Sequence, residues 1–177
     1  MQDKEVISAL ESQLNYSAKS ISDIKIFVKE LLKANKKHNF ISKSTEHVIW
    51  HRHILDSAQL VKFIDFSKRS LSDLGSGAGF PGLILALFNK NKDFHVKLYE
   101  KSPVKRAFLK DIGDQLSLKI EIHGNVYEKI IDSDYIVCRA FKKLEAIIQV
   151  SREIVKKSHK LIILKGQNAQ QDLKKAL

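Results

Sequence analysis

The stretch Asp73-Leu74-Gly75-Ser76-Gly77-Ala78-Gly79-Phe80-Pro81-Gly82 decides the fold of this 177-residue chain. It contains four of the seven glycines and one of the two prolines. A short β-like run, residues 70–74, leads into it, and an apolar helical run, residues 83–88, follows it. Glycines between a first strand and a first helix allow positive φ angles and a close approach of the backbone to a ligand. The stretch therefore predicts a ligand-binding loop at one end of a sheet.

The sequence after this loop alternates between two periodicities. Strand-like runs occur at residues 95–100, 118–123, 135–140 and 160–165, and a helical run occupies residues 104–116. Strands and helices that alternate at this spacing require right-handed crossovers, which produce a parallel, doubly wound sheet. We predict an α/β fold with a Rossmann-like core.

The sequence before the loop is helical in pattern. Apolar residues of one predicted helix recur at helical spacing, and Ser20 or Ser22 is expected to cap it: Ile21, Ile24, Phe27, Val28, Leu31 and Leu32. A second helix is predicted over about residues 45–63. We therefore expect a helical N-terminal extension over residues 1–66 and an α/β core over residues 67–177.

Composition narrows the class of protein. The chain has 31 Lys and Arg against 20 Asp and Glu, a net charge of +11, which favours a polyanionic partner. A single cysteine, Cys138, excludes an internal disulfide framework. The polar start and the lack of an apolar run of about 18 residues predict neither a signal peptide nor a membrane span. A cytoplasmic protein without membrane association is expected.

The glycine loop matches two cofactor patterns. Gly77-x-Gly79-x-x-Gly82 satisfies the dinucleotide fingerprint, whereas Asp73-x-Gly75-x-Gly77-x-Gly79 is the pattern of S-adenosylmethionine enzymes. A pyrophosphate requires free N–H groups at a helix start, but Pro81 removes one and Asp73 adds a repelling carboxylate. The same carboxylate attracts the sulfonium and amine of S-adenosylmethionine. We predict S-adenosylmethionine as cofactor, with an NAD-linked oxidoreductase as the alternative.

Further motifs follow one another along the chain: Asn39-Phe40-Ile41-Ser42, Arg52-His53-Ile54-Leu55-Asp56-Ser57, the glycine loop, Ser102-x-x-Lys105-Arg106-x-Phe108-Leu109, Arg139-Ala140-Phe141 and Leu164-Lys165-Gly166. Together they resemble the RsmG (GidB) family of bacterial 16S rRNA methyltransferases, from about residue 20 to Gln167. The resemblance implies methyl transfer from S-adenosylmethionine to N7 of a guanosine, position 527 in the usual rRNA numbering. It makes 16S rRNA or the small ribosomal subunit the expected partner of a monomeric enzyme.

The resemblance also implies cofactor contacts. Gly75 and Phe80 match family positions in the loop, Asn125 to Tyr127 match the segment beside the adenine, and Arg139 matches an arginine beside the cofactor. At the place of Tyr127 the family often has an acidic residue. With the loop and with Glu100, which is expected to bind ribose hydroxyls, the predicted cofactor-binding residues are Asp73, Gly75, Gly77, Gly79, Phe80, Glu100, Asn125, Val126, Tyr127 and Arg139.

Methylation of guanine N7 needs no general base, because this nitrogen carries a lone pair and no proton. Catalysis is therefore expected to come from positioning and from exclusion of water. We predict that Arg139 and Lys165, at the ends of two strands, hold RNA phosphate or the guanine O6 edge. Phe80 and Phe141 are candidates for stacking on the target base, whereas Trp50 is predicted to be core.

Several other polar residues are candidates for a functional or structural role. His47 and His51 have a spacing that suits a metal, but a third ligand is not evident, so no metal is predicted. His53 and Asp56 are interpreted as a side-chain pair that holds the extension against the glycine loop. Three lysine pairs, at residues 36–37, 142–143 and 156–157, are expected to supply an RNA-binding surface around the cofactor site.

The C-terminal sequence departs from the family pattern. In the family, the motif at Leu164-Lys165-Gly166 is followed by a helix and two further strands, whereas this sequence ends within that helix at Leu177. The last strands of the sheet are therefore expected to be missing, and the fifth strand to be an exposed edge. A non-catalytic member that binds only RNA or S-adenosylmethionine remains an alternative.

Overall fold

The computed structural model describes residues 2–128, 130–166 and 168–176, and it contains one parallel five-stranded sheet. The strand order is β3-β2-β1-β4-β5, and every pairing is parallel. The strands are β1 (Ser70–Leu74), β2 (His95–Tyr99), β3 (Ile120–His123), β4 (Tyr135–Arg139) and β5 (Lys160–Leu164). This order reverses direction between β1 and β4, which is the place where doubly wound sheets bind ligands.

Helices precede the sheet and connect its strands. The α-helices are α1 (Gln2–Ser12), α2 (Ala18–Asn35), α3 (Lys43–Glu46), α4 (Asp56–Ala58), α5 (Gly82–Phe88), α6 (Pro103–Gln115), α7 (Leu144–Ile154) and α8 (Ala169–Ala176). A π-helical segment, Trp50–Leu55, leads into α4, and 3₁₀ turns cover Gln59–Phe63 and Val126–Glu128. None of the helices in the described part of the chain is both long and apolar enough to cross a bilayer.

The predicted α/β class and parallel sheet are confirmed, and the strand positions agree closely. β1 has the predicted bounds, whereas β3 begins two residues later than predicted. The reason is that Ser117, at a φ of 52°, and Leu118 form the turn that ends α6, with the Leu118 N–H donating to Gly113 O at 2.8 Å.

The capping residue of α2 was predicted wrongly. Ser17 is the N-cap, and its Oγ accepts the Ser20 N–H at 3.1 Å. The Ser20 hydroxyl instead donates to Leu87 O at 2.7 Å in the buried contact with α5. Ser20 therefore lies inside the helix because a tertiary partner satisfies its hydroxyl.

The second N-terminal helix is not the single element predicted for residues 45–63. A turn separates α3 from the π-helical segment, and the last part is a 3₁₀ turn. Trp50, Ile54 and Ala58 are buried and recur at every fourth residue.

The N-terminal helices pack against α5 and share one apolar core with the sheet. Tyr16 donates its hydroxyl to Ile84 O at 3.2 Å, and burial raises the pKa of Tyr16. Residues of α1 and α2, such as Leu10 and Phe27, belong to the same apolar cluster as Leu71 of β1 and Leu98 of β2. α1 is a further helix of the N-terminal extension, for which no separate element is predicted from the sequence. The division near residue 66 remains a prediction, and residues from both sides of it share one core.

In the part of the chain that the structure describes, β5 is an edge strand of the sheet. It pairs with β4 only, and its side chains from Leu161 to Leu164 are half-buried. The carboxyl ends of all five strands point to one edge of the sheet, where the functional site is formed.

Candidate active site

The glycine loop is held in shape by the neighbouring strand. The N–H groups of Gly75 and Ser76 both donate to Tyr99 O, at 2.9 and 3.0 Å. Gly75, Gly77 and Gly79 have φ angles of 75°, 59° and 107°, which other residues rarely adopt. Glycine is therefore favoured at these three positions because the backbone there has positive φ angles.

Asp73 closes the base of the loop. Its side chain is completely buried, and Oδ2 accepts the Gly82 N–H at 2.9 Å, at the start of α5. Burial raises the pKa of Asp73 to about 7, although the hydrogen bond from Gly82 opposes this change. A carboxylate already occupies the helix start that a pyrophosphate would need, so the dinucleotide alternative is disfavoured by the geometry.

Asp73 does not line the cavity that the loop borders. Its Oδ1 has no hydrogen-bond partner among the residues that the structure describes. The direct cofactor contact predicted for Asp73 stays a prediction. The contact that the structure shows is internal, from the carboxylate to the backbone of α5.

Glu100 follows β2 and joins two backbone segments. Its Oε2 accepts the Gly77 N–H at 2.9 Å and its Oε1 accepts the Ser102 N–H at 2.8 Å. The side chain is mostly buried but lines the cavity beside the loop. A carboxylate oxygen has more than one lone pair, so Glu100 retains capacity to accept a hydroxyl while it holds Gly77.

A first cavity of about 500 Å³ lies above the carboxyl ends of β1, β2, β3 and β4. This volume is typical of small-molecule sites. The predicted residues that line it are Gly75, Gly77, Phe80, Glu100, Asn125, Val126, Tyr127 and Arg139, whereas Gly79 supports the loop from below. Ala78, Lys101, Lys105, Ala140, Phe141 and Lys142 also line it, and sequence reasoning had assigned no cofactor role to these residues.

This first cavity suits S-adenosylmethionine in shape and in donor set. Open loop backbone at Gly75 and Gly77 faces one side, and the Glu100 carboxylate lies at the end of β2. Val126 supplies an apolar wall, and the half-exposed ring of Tyr127 lies beside it. The residues present therefore fit a nucleoside with a charged amino-acid tail.

A second cavity of about 910 Å³ adjoins the first. It lies between the N-terminal segment and the ends of β4 and β5. Arg139, Ala140 and Lys142 line both cavities, so the two spaces meet at the end of β4. A group bound in one cavity therefore lies next to a group bound in the other.

Arg139 is held at this junction by two contacts. Its guanidinium lies 4.8 Å from the centre of the Phe80 ring, and its Nη1 donates to Arg52 O at 3.2 Å. Burial lowers the pKa of Arg139, while the negative charges of Asp73 and Asp56 oppose this change. The guanidinium retains further N–H donors for a substrate.

Lys165, the second predicted catalytic residue, lies on the far side of the second cavity. Its Nζ forms an ion pair with Asp172 Oδ2 of α8 at 2.7 Å. Because Asp172 compensates this positive charge, we expect Lys165 to attract phosphate less strongly than an unpaired lysine.

His53 connects the N-terminal segment to the glycine loop, as predicted, but its partners differ from those expected. Its ring lies 5.1 Å from Phe80, centre to centre, and its Nε2 lies 2.9 Å from Thr45 Oγ1. No hydrogen bond or ion pair joins His53 to Asp56 in the ranges that the structure covers. Burial, with the charges of Arg139 and Arg52, lowers the pKa of His53 to about 4.

Of the two aromatic residues predicted to stack on the target base, only Phe141 has a ring that lines a cavity without being fully buried. Phe80 is buried against Phe27, His53 and Arg139, so its ring is not open for stacking on a base. Phe141 is half-buried and lines the first cavity, where its ring lies against Gly75. Trp50 is buried, which confirms its predicted place in the core.

The prediction that all three lysine pairs surround the cofactor site is wrong in part. Lys142 lines both cavities, and its Nζ donates to Tyr127 Oη at 2.7 Å. Lys157 instead bonds to Asp132 and Asp134 at the amino end of β4, the opposite edge of the sheet. His47 and His51 lie on either side of the break before the π-helical segment, and the described residues contain no group of three or more potential metal ligands.

The sheet order, the glycine loop and the cavity at the switch between β1 and β4 define a class I S-adenosylmethionine-dependent methyltransferase fold. Solved structures of this class superpose on nearly the whole chain. An O-methyltransferase from Bacillus cereus, in complex with SAH, covers 99% of this chain and 86% of its own with a TM-score of 0.58 at 14% identity. A putative caffeoyl-CoA O-methyltransferase from Staphylococcus aureus covers 98% of this chain and 84% of its own, with a TM-score of 0.54 at 16% identity. At this identity the likeness establishes the fold alone.

Sequence comparison identifies the family within this class. The family model GidB, described as rRNA small subunit methyltransferase G, matches residues 20–176, and the chain belongs to this family. A ribosomal RNA small subunit methyltransferase G from Pelagibacter ubique is 36% identical over 169 residues, covering 92% of this chain and 79% of the relative. The protein of the same name from Rickettsia felis is 40% identical over 149 residues, covering 84% and 76%.

Proposed function

We propose that this protein transfers a methyl group from S-adenosylmethionine to N7 of a guanosine in small-subunit ribosomal RNA, position 527 in the usual numbering. The observation that carries the proposal is the meeting of the two cavities at Arg139, Ala140 and Lys142. One cavity suits the cofactor, and the second is lined by the cations of Arg52, Arg139, Lys142 and Lys165. The names of the relatives support ribosomal RNA as the substrate.

S-adenosylmethionine would supply a sulfonium methyl group: the N7 lone pair would form the new N–C bond as the S–C bond breaks, which releases neutral S-adenosylhomocysteine and leaves the positive charge on the methylated purine. The glycine loop and Glu100 hold the cofactor in the first cavity, beside the wall shared with the second. Arg139 orients the base by donating to its O6 edge, and no residue needs to remove a proton from N7. The chain therefore accelerates transfer by alignment and by enclosing the two reacting groups.

The cationic lining of the second cavity suits an RNA backbone. Lys142 extends from the shared wall, and Lys101 and Lys105 line the first cavity. Such cations bind phosphate without reading sequence, so they set affinity and position. Action on ribosomal RNA also places the proposed enzyme in the cytoplasm, where ribosomal subunits are present.

The test is incorporation of isotopically labelled methyl groups into 16S rRNA and into small subunits from cells that lack the modification. Digestion and mass spectrometry are expected to identify 7-methylguanosine at one site. A substrate with 7-deazaguanosine at that site provides the matched control, because it lacks only the accepting nitrogen. Methyl transfer to the 7-deaza substrate would contradict the N7 assignment.

Three further outcomes distinguish the alternatives. Calorimetric binding of S-adenosylmethionine without methyl transfer to either form of RNA would identify a non-catalytic member of the family. Restoration of 7-methylguanosine in a deletion strain by this chain would establish activity in the cell. Binding of NADH in place of S-adenosylmethionine would contradict the cofactor assignment.

A further inference from the structure

We propose that Asp56 reads the Watson–Crick edge of the target guanine in the second cavity and so sets the preference for guanine over adenine. The inference rests on the proposed function. Asp56 directly follows the π-helical segment, at the start of α4, and its half-exposed side chain lines the second cavity with Arg52 and Arg139.

The Asp56 carboxylate is free to accept hydrogen bonds from a ligand. Within the described ranges it accepts no hydrogen bond from a side chain or from the backbone and forms no ion pair. The other carboxylate of the cavity, Asp172, is bound to Lys165 at 2.7 Å. Asp56 is nevertheless close enough to Arg139 for its charge to act on that guanidinium. A carboxylate without a partner beside a cation is suited to two donors from a ligand.

Guanine presents the complementary groups in a fixed order around its rim. N7 and O6 are acceptors, and next to them N1–H and the N2 amino group are donors. With N7 directed towards the shared wall, Arg139 lies opposite O6 and the Asp56 carboxylate accepts from N1–H and N2. Adenine instead has an acceptor at N1 and no amino group at C2, so its edge repels the carboxylate. One pair of residues thus distinguishes the two purines.

His53 is another titratable side chain on this wall, and its placement argues against the same role. Thr45 Oγ1 donates to Ser42 O, so it accepts from His53 Nε2, and the imidazole presents Nδ1 as an acceptor. Nδ1 is buried from solvent and has no partner in the part of the chain that the structure describes. A base entering the second cavity reaches Asp56 without a rearrangement of the N-terminal segment.

The first test compares Asp56→Asn with Asp111→Asn, which removes the same charge from an exposed position of α6 outside both cavities. Loss of a negative charge by itself strengthens RNA binding. We expect Asp56→Asn to lower kcat/KM on the guanosine substrate by about 5- to 150-fold, the range for one bidentate base contact. The affinity for S-adenosylmethionine and the unfolding temperature are expected to stay at wild-type values.

The second test uses a substrate with inosine at the target position, which lacks only the N2 amino group. The wild-type enzyme is expected to methylate inosine more slowly than guanosine, whereas Asp56→Asn methylates both at similar rates. The proposal would be overturned if replacing guanosine by inosine slowed methylation by the same factor in wild type and in Asp56→Asn. Equal factors would mean that the N2 amino group and Asp56 act independently, since independent sites contribute additively in free energy. An unaltered rate for Asp56→Asn on guanosine would also overturn it. An inactive wild-type enzyme would instead contradict the proposed function.

Discussion

The guanidinium of Arg139 lies 4.8 Å from the centre of the Phe80 ring, so the end of β4 is fastened to the glycine loop. Phe80 is buried against His53 on the N-terminal segment, at a ring distance of 5.1 Å. Three parts of the chain that are distant in sequence therefore meet at one aromatic ring. Because Arg139 also borders both cavities, a change at this contact is expected to affect cofactor and RNA together.

Substitution of Arg139 tests this junction. Arg139→Ala removes the contact with Phe80 and the hydrogen bond to Arg52 O, and we expect S-adenosylmethionine binding to weaken about 2- to 30-fold. We expect methylation of small-subunit RNA to fall by at least about tenfold, because the donor to the base is also lost. Arg139→Lys keeps the charge but not the planar guanidinium. We expect its cofactor affinity and its methylation rate to lie between those of wild type and Arg139→Ala.

The matched control is Arg152→Ala, since Arg152 is exposed on α7 and lines neither cavity. Calorimetry with S-adenosylmethionine and an RNA methylation assay measure the two effects separately. Unchanged cofactor affinity and unchanged methylation in Arg139→Ala would remove Arg139 from the site.

Gly75 combines a positive φ with a close side-chain neighbour, so a side chain at this position is strained. Its φ is 75°, and an added Cβ would lie 2.5 Å from Phe141 Cδ2. We expect Gly75→Ala to lower the free energy of unfolding by about 1–3 kcal/mol and to weaken S-adenosylmethionine binding.

Thermal unfolding measures the stability effect, and Gly166→Ala is its control. Among the residues that the structure describes, no heavy atom lies within 4 Å of a Cβ added at Gly166, and the φ of Gly166 is outside the positive region. We expect that substitution to alter the free energy of unfolding by less than about 0.5 kcal/mol. A Gly75→Ala protein as stable as wild type would show that the loop and Phe141 shift without cost.

Asp73 makes stability depend on pH. Its pKa is raised from 3.8 to about 7 in the folded state, so the folded protein binds a proton that the unfolded chain has released. The stabilisation from this proton is complete below about pH 4 and is lost as pH rises through 7. Asp73→Asn retains an acceptor for the Gly82 N–H and carries no charge, so it removes this dependence.

Denaturant unfolding at several pH values between 4 and 8 measures the effect. We expect the stability of wild type relative to Asp73→Asn to decline by up to about 1.4 kcal/mol per pH unit within this window. Asp111→Asn, on the exposed side of α6, is expected to show no such trend. A constant difference between wild type and Asp73→Asn across the window would contradict the raised pKa.

Salt dependence tests the basic lining of the cavities. Lys142 contacts Tyr127 and lines both cavities, so Lys142→Ala is expected to weaken RNA binding for all sequences alike. The slope of log affinity against log salt is expected to fall in magnitude by about 1. Lys156→Ala, an exposed position that follows α7 at the other edge of the sheet, is expected to leave the slope unchanged. A Lys142→Ala slope equal to that of wild type would place Lys142 outside the RNA contact.

Local sequence by itself determined the elements of the α/β core and the position of the loop. Alternating apolar periods mark the strands, and the glycines of residues 75–82 mark the turn from β1 to α5, because backbone geometry depends on neighbouring residues. It also determined that Arg139 and Glu100 lie at strand ends on one edge, since parallel strands share direction. The family motifs extended these predictions to a cofactor and a substrate.

Only the tertiary structure decided how these residues are used. Phe80 is buried and Lys157 pairs at the far edge, because burial and partners come from segments distant in sequence. Arg139 and Asp56 face one cavity although 82 residues separate them, and no local pattern specifies that meeting. The sequence predicts which groups are present, and the packing of the N-terminal segment on the sheet decides which of them act together.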